Sequence, residues 1–290
     1  VSQAATNGPF RSGFVSLLGR PNVGKSTLLN RMVGRKVAIT SKVPHTTRTR
    51  IRGILDQPAA QVIFVDTPGI HKPKTALGRR INDTAAGSIE DVDVNVLVVE
   101  ANAPVGRGDR FIAERLPASS VIVLNKVDRV SKAAVLAQLA EASATLGIAD
   151  AEYFPLSART GEGVMALVDH LVCRLPEGPR YFPAGTVSDV EDAFYVAELV
   201  REQLLSRLKE EVPHSIACRV TEWEWPLVRC EVLVERQSQK GIVIGKGGSL
   251  LKEVGMAVRA QLEEGAYLEL VVKVENDWQR RPTVIERLGY

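Results

Sequence analysis

The sequence predicts an α/β chain, in which a mostly parallel, doubly wound sheet is followed by a smaller α+β domain. Three observations predict it. Short apolar runs alternate with helical patterns through about residue 175. A proline/glycine segment, Pro176-Glu-Gly-Pro179 with Pro183-Ala-Gly185, then interrupts that pattern. Beyond it, one helical stretch leads into two alternating, β-branched stretches. The length of 290 residues agrees with two domains at roughly 100–200 residues each.

In chain order, Gly13–Gly19 is short, apolar and glycine-bounded, so it reads as a buried strand, and Lys25–Val33 follows as a helix. Gln61–Val65, Val94–Glu100, Val121–Asn125 and Glu152–Leu156 read as further strands, with helices such as Lys132–Leu146 and Val164–Arg174 between them. Fully apolar strands alternating with helices imply a sheet covered on both faces. Ligands of such sheets sit beyond the carboxyl ends of the strands. After the interruption, Asp189–Lys209 has apolar residues near helical spacing. Ile216–Trp225 and Leu227–Glu235 read as strands broken at Trp225-Pro226. Gly241–Gly248, a helix over Ser249–Leu262 and a strand over Tyr267–Val274 complete an α-β-β-α-(glycine loop)-α-β order. The expected boundaries are a flexible N-terminus over 1–11, a first domain over 12–176, a linker over 177–187 and a second domain over 188–290.

Composition narrows the classes. Hydrophobic residues are 45% and charged residues 24%, ordinary for a globular chain. No apolar run approaches the ~18 residues of a membrane span, and Val1–Pro9 lacks an apolar signal region. Cys173, Cys218 and Cys230 form no C-x-x-C, which argues against a zinc site and for a reducing compartment. Cys218 and Cys230 could face each other across a hairpin, with buried free thiols the expected state. The net charge of +3 divides unevenly. Residues 177–290 hold 15 basic and 19 acidic residues, net −4, and residues 1–176 hold the other 22 and 15, net +7. Nucleic-acid binding would therefore need local basic patches.

Four motifs fall at strand ends. Gly19-Arg-Pro-Asn-Val-Gly24-Lys25-Ser26 matches G-x-x-x-x-G-K-[ST] between a strand and a helix. Its glycines let backbone N–H groups of residues such as Asn22, Val23 and Gly24 converge on phosphate oxygens, and Thr27, in the first turn of the helix, is a further nucleotide-binding candidate. Lys25 supplies charge to the β- and γ-phosphates, and the Ser26 hydroxyl can bind Mg²⁺. Asp66-Thr-Pro-Gly69 offers a carboxylate that reaches Mg²⁺ through water and an N–H for the γ-phosphate. Asn125-Lys126-Val127-Asp128 offers a fixed carboxylate for the two donors on guanine's edge, which adenine lacks. Ser157-Ala158, followed by Arg159, offers the Ala158 N–H to the guanine carbonyl oxygen. These four in order imply a protein that binds GTP and GDP.

They resemble the GTPase domain of the translation-factor-related class over about residues 12–175. That resemblance implies a first-switch threonine in Thr46-Thr47-Arg48, with Thr47 favoured as the Mg²⁺ ligand and Thr46 close behind. Ile70 stands where Ras-like GTPases have a water-orienting glutamine, so the resemblance implies slow hydrolysis. Asn22 occupies the position used by members that bind K⁺, so K⁺ is a candidate cofactor. Catalysis then has no dedicated base; its candidates are Asn22, Lys25, Thr47 and Gly69.

In the second domain, Val243-Ile244-Gly245-Lys246-Gly247-Gly248 is a G-x-x-G loop before a helix, the device with which KH modules clamp about four nucleotides. The element order resembles the type II KH topology. Arg236, Lys240, Lys246 and Lys252 form a run of four basic residues without an acidic one. Arg31 to Arg52 is a second such run, with seven; it reads as a solvated switch loop or as a cationic surface exposed by nucleotide state.

The phosphate loop, the Thr-Thr-Arg switch, Asp-Thr-Pro-Gly-Ile-His, Asn-Lys-Val-Asp, the proline-rich linker, Val-Ile-Gly-Lys-Gly-Gly and Leu288-Gly289-Tyr290 together resemble the Era family of bacterial GTPases. The resemblance spans nearly the whole chain. It implies a monomeric, cytoplasmic GTPase that binds the 3′ end of small-subunit (16S) ribosomal RNA through Arg236, Lys240, Ile244, Gly245, Lys246, Gly247, Gly248 and Lys252. It further implies action in assembly of the small (30S-type) subunit, with weak peripheral membrane contact. The second domain's net −4 departs from that family's usual basic character. The alternative is a ribosome-associated GTPase whose second domain binds protein.

Overall fold

The computed structural model describes residues 9–44, 46–69, 75–87, 89 and 91–290. Residues 1–8 of the expected N-terminal segment, and Ile70 with His71, lie outside the described residues. The chain divides into two units. The first holds residues up to Ala38, Thr47–Lys72 and Ile81–Asp189; the second holds Ile39–Thr46, Pro73–Arg80 and Val190–Tyr290.

The first unit is built on a six-stranded sheet: β1 Arg11–Leu18, β2 Ile51–Gln57, β3 Ala60–Asp66, β4 Val94–Glu100, β5 Val121–Asn125 and β6 Glu152–Pro155. The order is β2-β3-β1-β4-β5-β6. All neighbours are parallel except β2, which pairs antiparallel with β3 from Ile51↔Asp66 to Gln57↔Ala60. The helices are α1 Lys25–Val33, α2 Ala76–Ala86, α3 Arg107–Ala113, α4 Lys132–Leu146 and α5 Val164–Arg174. Every residue of β3 and β5 is buried, as a sheet with both faces covered requires. On one face Leu18, Leu97, Ile122 and Leu124 pack with Ile112 of α3 and Ala142 of α4. α1 and α5 lie against β1 and each other.

The sequence pattern does not separate β2, which joins the sheet as an antiparallel edge strand. Its period is blurred by Gly53, where a Cβ would come within 2.6 Å of Leu29. Arg11 opens β1 rather than ending a flexible tail. The expected linker is bonded into the first unit. Ser12 Oγ donates to the Pro179 carbonyl at 2.6 Å, and the amides of Tyr181 and Phe182 each donate to Gln61 Oε1 at 2.9 Å. Arg180 pairs with Asp56 at 3.0 Å, and the Tyr181 ring lies 5.1 Å from that of Phe14.

In the second unit, α6 Asp192–Arg207 precedes β7 Ala217–Glu224 and β8 Leu227–Val234. Then come α7 Gln237–Ile244, α8 Ser249–Arg259, β9 Tyr267–Val274 and α9 Pro282–Arg287, the last not expected from the sequence. The sheet order is β7-β8-β9, antiparallel and then parallel. A parallel β8–β9 pair needs a crossover, which α7, the glycine loop and α8 supply. Cys218 lies opposite Val232 and Cys230 opposite Val220, so the thiols are diagonal neighbours. Both are buried and free, and burial pushes the Cys218 thiol up.

The segment Ile39–Thr46 is part of this second unit. Ile39 is buried in its core with Val200, Leu204 and Ile216. The Thr40 amide donates to Glu202 Oε1 at 2.8 Å. Arg201, fully buried, pairs with Glu198 and donates to the Thr46 carbonyl. Of the seven bases in the run Arg31–Arg52, six are exposed, as a solvated surface expects, and Arg48 alone is buried. Arg50 donates to Thr84 O at 3.2 Å, and Arg52 pairs with Asp189 at 2.7 Å.

Candidate functional site

β1 delivers the chain into a tight loop. Gly19 (φ +147°), Asn22 (φ +65°) and Gly24 (φ +103°) take backbone conformations that favour glycine or asparagine. A Cβ on Gly24 would sit 2.3 Å from Asn125 Nδ2, and one on Gly69 would sit 2.7 Å from the Pro21 backbone nitrogen. The loop therefore closes against the ends of β3 and β5 only because these positions lack side chains. Lys25 opens α1 and is buried, with Nζ donating to the carbonyls of Gly19 and Arg20 at 3.0 Å each. Burial lowers its pKa to about 8, and Asp66 counters part of that shift.

Three oxygens converge beside it. Ser26 Oγ donates to Asp66 Oδ2 at 2.6 Å and lies 3.0 Å from Thr47 Oγ1, which donates to the same Oδ2 at 3.2 Å. Burial pushes the Asp66 carboxyl up, and its Oδ1 is buried without a hydrogen-bond partner among the described residues. Hard oxygens around an orphaned carboxylate oxygen fit Mg²⁺. Of the two switch threonines, Thr47 is the one placed here. Thr46 Oγ1 instead donates to Val43 O at 2.7 Å and lies 2.7 Å from Ser41 Oγ, so it is not part of this oxygen cluster.

At the end of β5, Asn125 acts as a strut. Its Nδ2 donates to Val23 O at 2.8 Å, and its Oδ1 accepts from the amides of Lys126 (2.8 Å) and Ala158 (3.0 Å). One buried side chain so ties the phosphate loop to the loops after β5 and β6. The Ala158 amide, expected on the base carbonyl, is bonded to Asn125 here. Lys126 Nζ donates to Asn22 O at 2.7 Å and pairs with Glu100. Asp128 accepts from Ser157 Oγ at 2.6 Å and pairs with Arg159 at 2.7 Å. The Ser157 hydroxyl, then the Arg159 charge, overcome burial and hold the Asp128 carboxyl below its usual range. Glu100 escapes a reading of the sequence because a strand-end carboxylate carries no motif. Arg31, Arg35 and Lys36 register there only as part of a charge run. With Thr27, Asn30 and Arg159 they line an open cationic cavity of about 390 Å³.

In the second unit the glycine loop joins α7 to α8 through Gly245 (φ +75°), Gly247 (φ +60°) and Gly248 (φ +80°). A Cβ on Gly245 would meet the Leu250 backbone nitrogen at 2.9 Å, whereas space over Gly247 and Gly248 is open. Arg236, Lys246 and Lys252 are exposed and Lys240 half-buried. Ile244 is half-buried and packs on the core.

Residues 14–126 match the profile of the family described as 50S ribosome-binding GTPase, and residues 211–279 match the KH domain profile. The chain is 46% identical over 297 residues to GTPase Era of Mycobacterium sp. (strain JLS), covering 97% of this chain and 99% of that protein. It is 47% identical over 298 residues to GTPase Era of Mycobacterium tuberculosis (strain H37Rv), with the same coverage. The chain belongs to the Era family of GTPases. Solved Era structures superpose over 97% of this chain and 99% of theirs at 36% identity. One is a single-residue variant of Aquifex aeolicus Era bound to GDP·AlF4⁻ (TM-score 0.91). Another is Era with MgGDPNP and nucleotides 1506–1542 of 16S ribosomal RNA (TM-score 0.92). As an Era-family GTPase, this chain uses guanine nucleotide, and its second unit contains a KH domain. No helix among the described residues is long and apolar enough to cross a membrane.

Proposed function

We propose that this chain is a GTP-hydrolysing switch that clamps the 3′ region of small-subunit ribosomal RNA and acts in small-subunit assembly in the cytoplasm. In the first unit, the loop amides from Asn22 to Ser26 and the Lys25 ammonium hold the β- and γ-phosphates. Ser26 and Thr47 give oxygens to the metal, and Asp66 orients its water. Mg²⁺, when bound, neutralises charge across the phosphate oxygens. Asp128 reads the guanine edge, and Asn125 holds the loops that carry the reading groups. Hydrolysis proceeds by positioning and electrostatics. K⁺ belongs to the same proposal: hydrolysis runs faster in K⁺ than in Na⁺, and Asn22→Ala removes the difference.

One observation carries the RNA reading: the cationic glycine loop leaves open space over Gly247 and Gly248, so a nucleic-acid backbone can approach to contact distance. The relative bound to 16S RNA supports the choice of RNA. The net charge of −4 over residues 177–290 gives no support to membrane attraction. The test is binding of an oligonucleotide with the 16S 3′-terminal sequence, with GTP analogue and with GDP. Lys246→Glu is expected to weaken binding about tenfold or more and to flatten its salt dependence. Unchanged affinity would return the second unit to protein binding.

A further inference from the structure

The second unit exposes three large aromatic side chains at one end of its sheet. Trp223, Trp225 and Tyr267 are 41, 49 and 58% exposed. Trp225 and Tyr267 are neighbours at the hairpin, where the Tyr267 amide donates to Pro226 O at 2.8 Å. Tyr267 lies opposite Leu227, itself opposite Glu224, so these three share a face, whereas Trp223, opposite Val228, lies on the other. The remaining tryptophan, Trp278, is fully buried and donates to Ser215 O. Exposed tryptophans forgo the burial their size favours, and tryptophan is the residue type most enriched at interface hot spots. Neither the nucleotide site nor the glycine loop uses these rings.

The same end is acidic. Residues 222–229 and 263–269 contain five glutamates, Glu222, Glu224, Glu263, Glu264 and Glu269, and one base, Arg229. Arg229 is already paired with Glu222 and Glu269. Glu224, Glu263 and Glu264 are exposed and make no ion pair among the described residues. The net charge of −4 over residues 177–290 is thus concentrated here, whereas residues 236–252 of the glycine-loop region carry four bases and no acid.

We propose that this aromatic, acid-rimmed end of the sheet is a docking surface for a Lys/Arg-rich segment of a partner protein. Guanidinium and ammonium groups stack on indole faces and pair with flanking carboxylates. RNA offers bases that also stack, but its phosphates would face the unpaired glutamates, and an anionic lipid surface meets the same repulsion. The surface is separate from the glycine loop and stands whichever RNA that loop takes.

The test uses the full chain and two labelled probes: a short peptide of alternating Lys and Arg, and a single-stranded RNA oligonucleotide. Anisotropy reads each affinity for the parent, for Trp225→Ala/Tyr267→Ala, and for Glu224→Gln/Glu263→Gln/Glu264→Gln. Both multiple variants are expected to weaken peptide binding about tenfold while leaving RNA affinity and GTP hydrolysis unchanged. The glutamate variant should also flatten the salt dependence of peptide binding. It alters only exposed side chains, so it decides the matter if the aromatic variant misfolds. Peptide affinity unchanged in the glutamate variant would overturn the proposal. So would loss of RNA rather than peptide binding in the aromatic variant, which would make the rings a stacking platform for nucleotides.

Discussion

Lys25 makes nucleotide binding a proton-linked event. Its pKa of about 8 means that the free protein is part-neutral above neutrality, while bound phosphates require the ammonium. GDP affinity measured without divalent metal is therefore expected to fall as pH rises from about 7 to about 9. Calorimetry at pH 8, in buffers of different ionisation enthalpy, should read uptake of about half a proton, and Lys25→Met should read none. Stability moves the other way. Between pH 8 and 10.5 the unfolded chain binds more protons at this lysine than the folded one, so its burial penalty, full below pH 8, fades as pH rises through that window. Asp128, which accepts from Ser157 and pairs with Arg159, is proposed to set base choice. Asp128→Asn should shift preference from GTP toward xanthosine triphosphate, since an amide donates to the carbonyl that replaces guanine's amine. Each lost charge-assisted bond is worth about 1.5–3 kcal/mol, and competition between the two nucleotides measures the shift. Gly24→Ala forces a Cβ onto Asn125 at φ +103° and should cost the first unit about 1–3 kcal/mol and most of its nucleotide affinity. Gly34→Ala, also at positive φ but in open space, should keep the affinity; nucleotide titration separates the two.

At the scale of elements, the crossover from α7 to α8 is a loop whose glycines do different things. Gly245 is needed for the fold, because its Cβ would strike the Leu250 backbone. Gly247 needs only a positive φ, which aspartate tolerates better than most residues. Gly247→Asp should therefore weaken RNA binding strongly, lower its salt slope and cost about 1 kcal/mol of stability. Gly245→Ala should instead lower the unfolding midpoint of the second unit before any RNA effect is read; circular dichroism melts beside RNA titrations distinguish them. The spacing of the glycines is legible in the sequence, but which one the fold requires is not, since it depends on Leu250 across the turn. β2 is hidden for a related reason. Its pairing partner is β3, and an edge strand interrupted by Gly53 has no period of its own until β3 supplies one.

At the scale of the molecule, the unit boundary crosses the first switch. Ile39 fills the core of the second unit, although it lies in the chain between α1 and β2 of the first. Ile39→Ala is expected to cost about 2–4 kcal/mol. The loss should fall on the transition reported by the buried Trp278, leaving GDP-dependent stabilisation of the first unit in place; fluorescence melts with and without GDP check this. A second unit cut at residue 190 should lose the same contact and melt lower than it does in the full chain. The sequence by itself determined the family of this protein, a GTPase domain followed by a KH domain. Lys25, Ser26, Asp66, Asn125 and Asp128 stand out as candidates because phosphate, metal and guanine recognition demand particular residue types at spacings that local strand–loop–helix geometry sets. Only the tertiary structure decided what depends on distant partners: Thr47 rather than Thr46 beside Asp66, Asn125 as the strut for three loops, the pinning of residues 177–188, and Ile39 in the second core. Burial and hydrogen-bond partnership are set by residues tens to hundreds of positions away, and no local pattern records them.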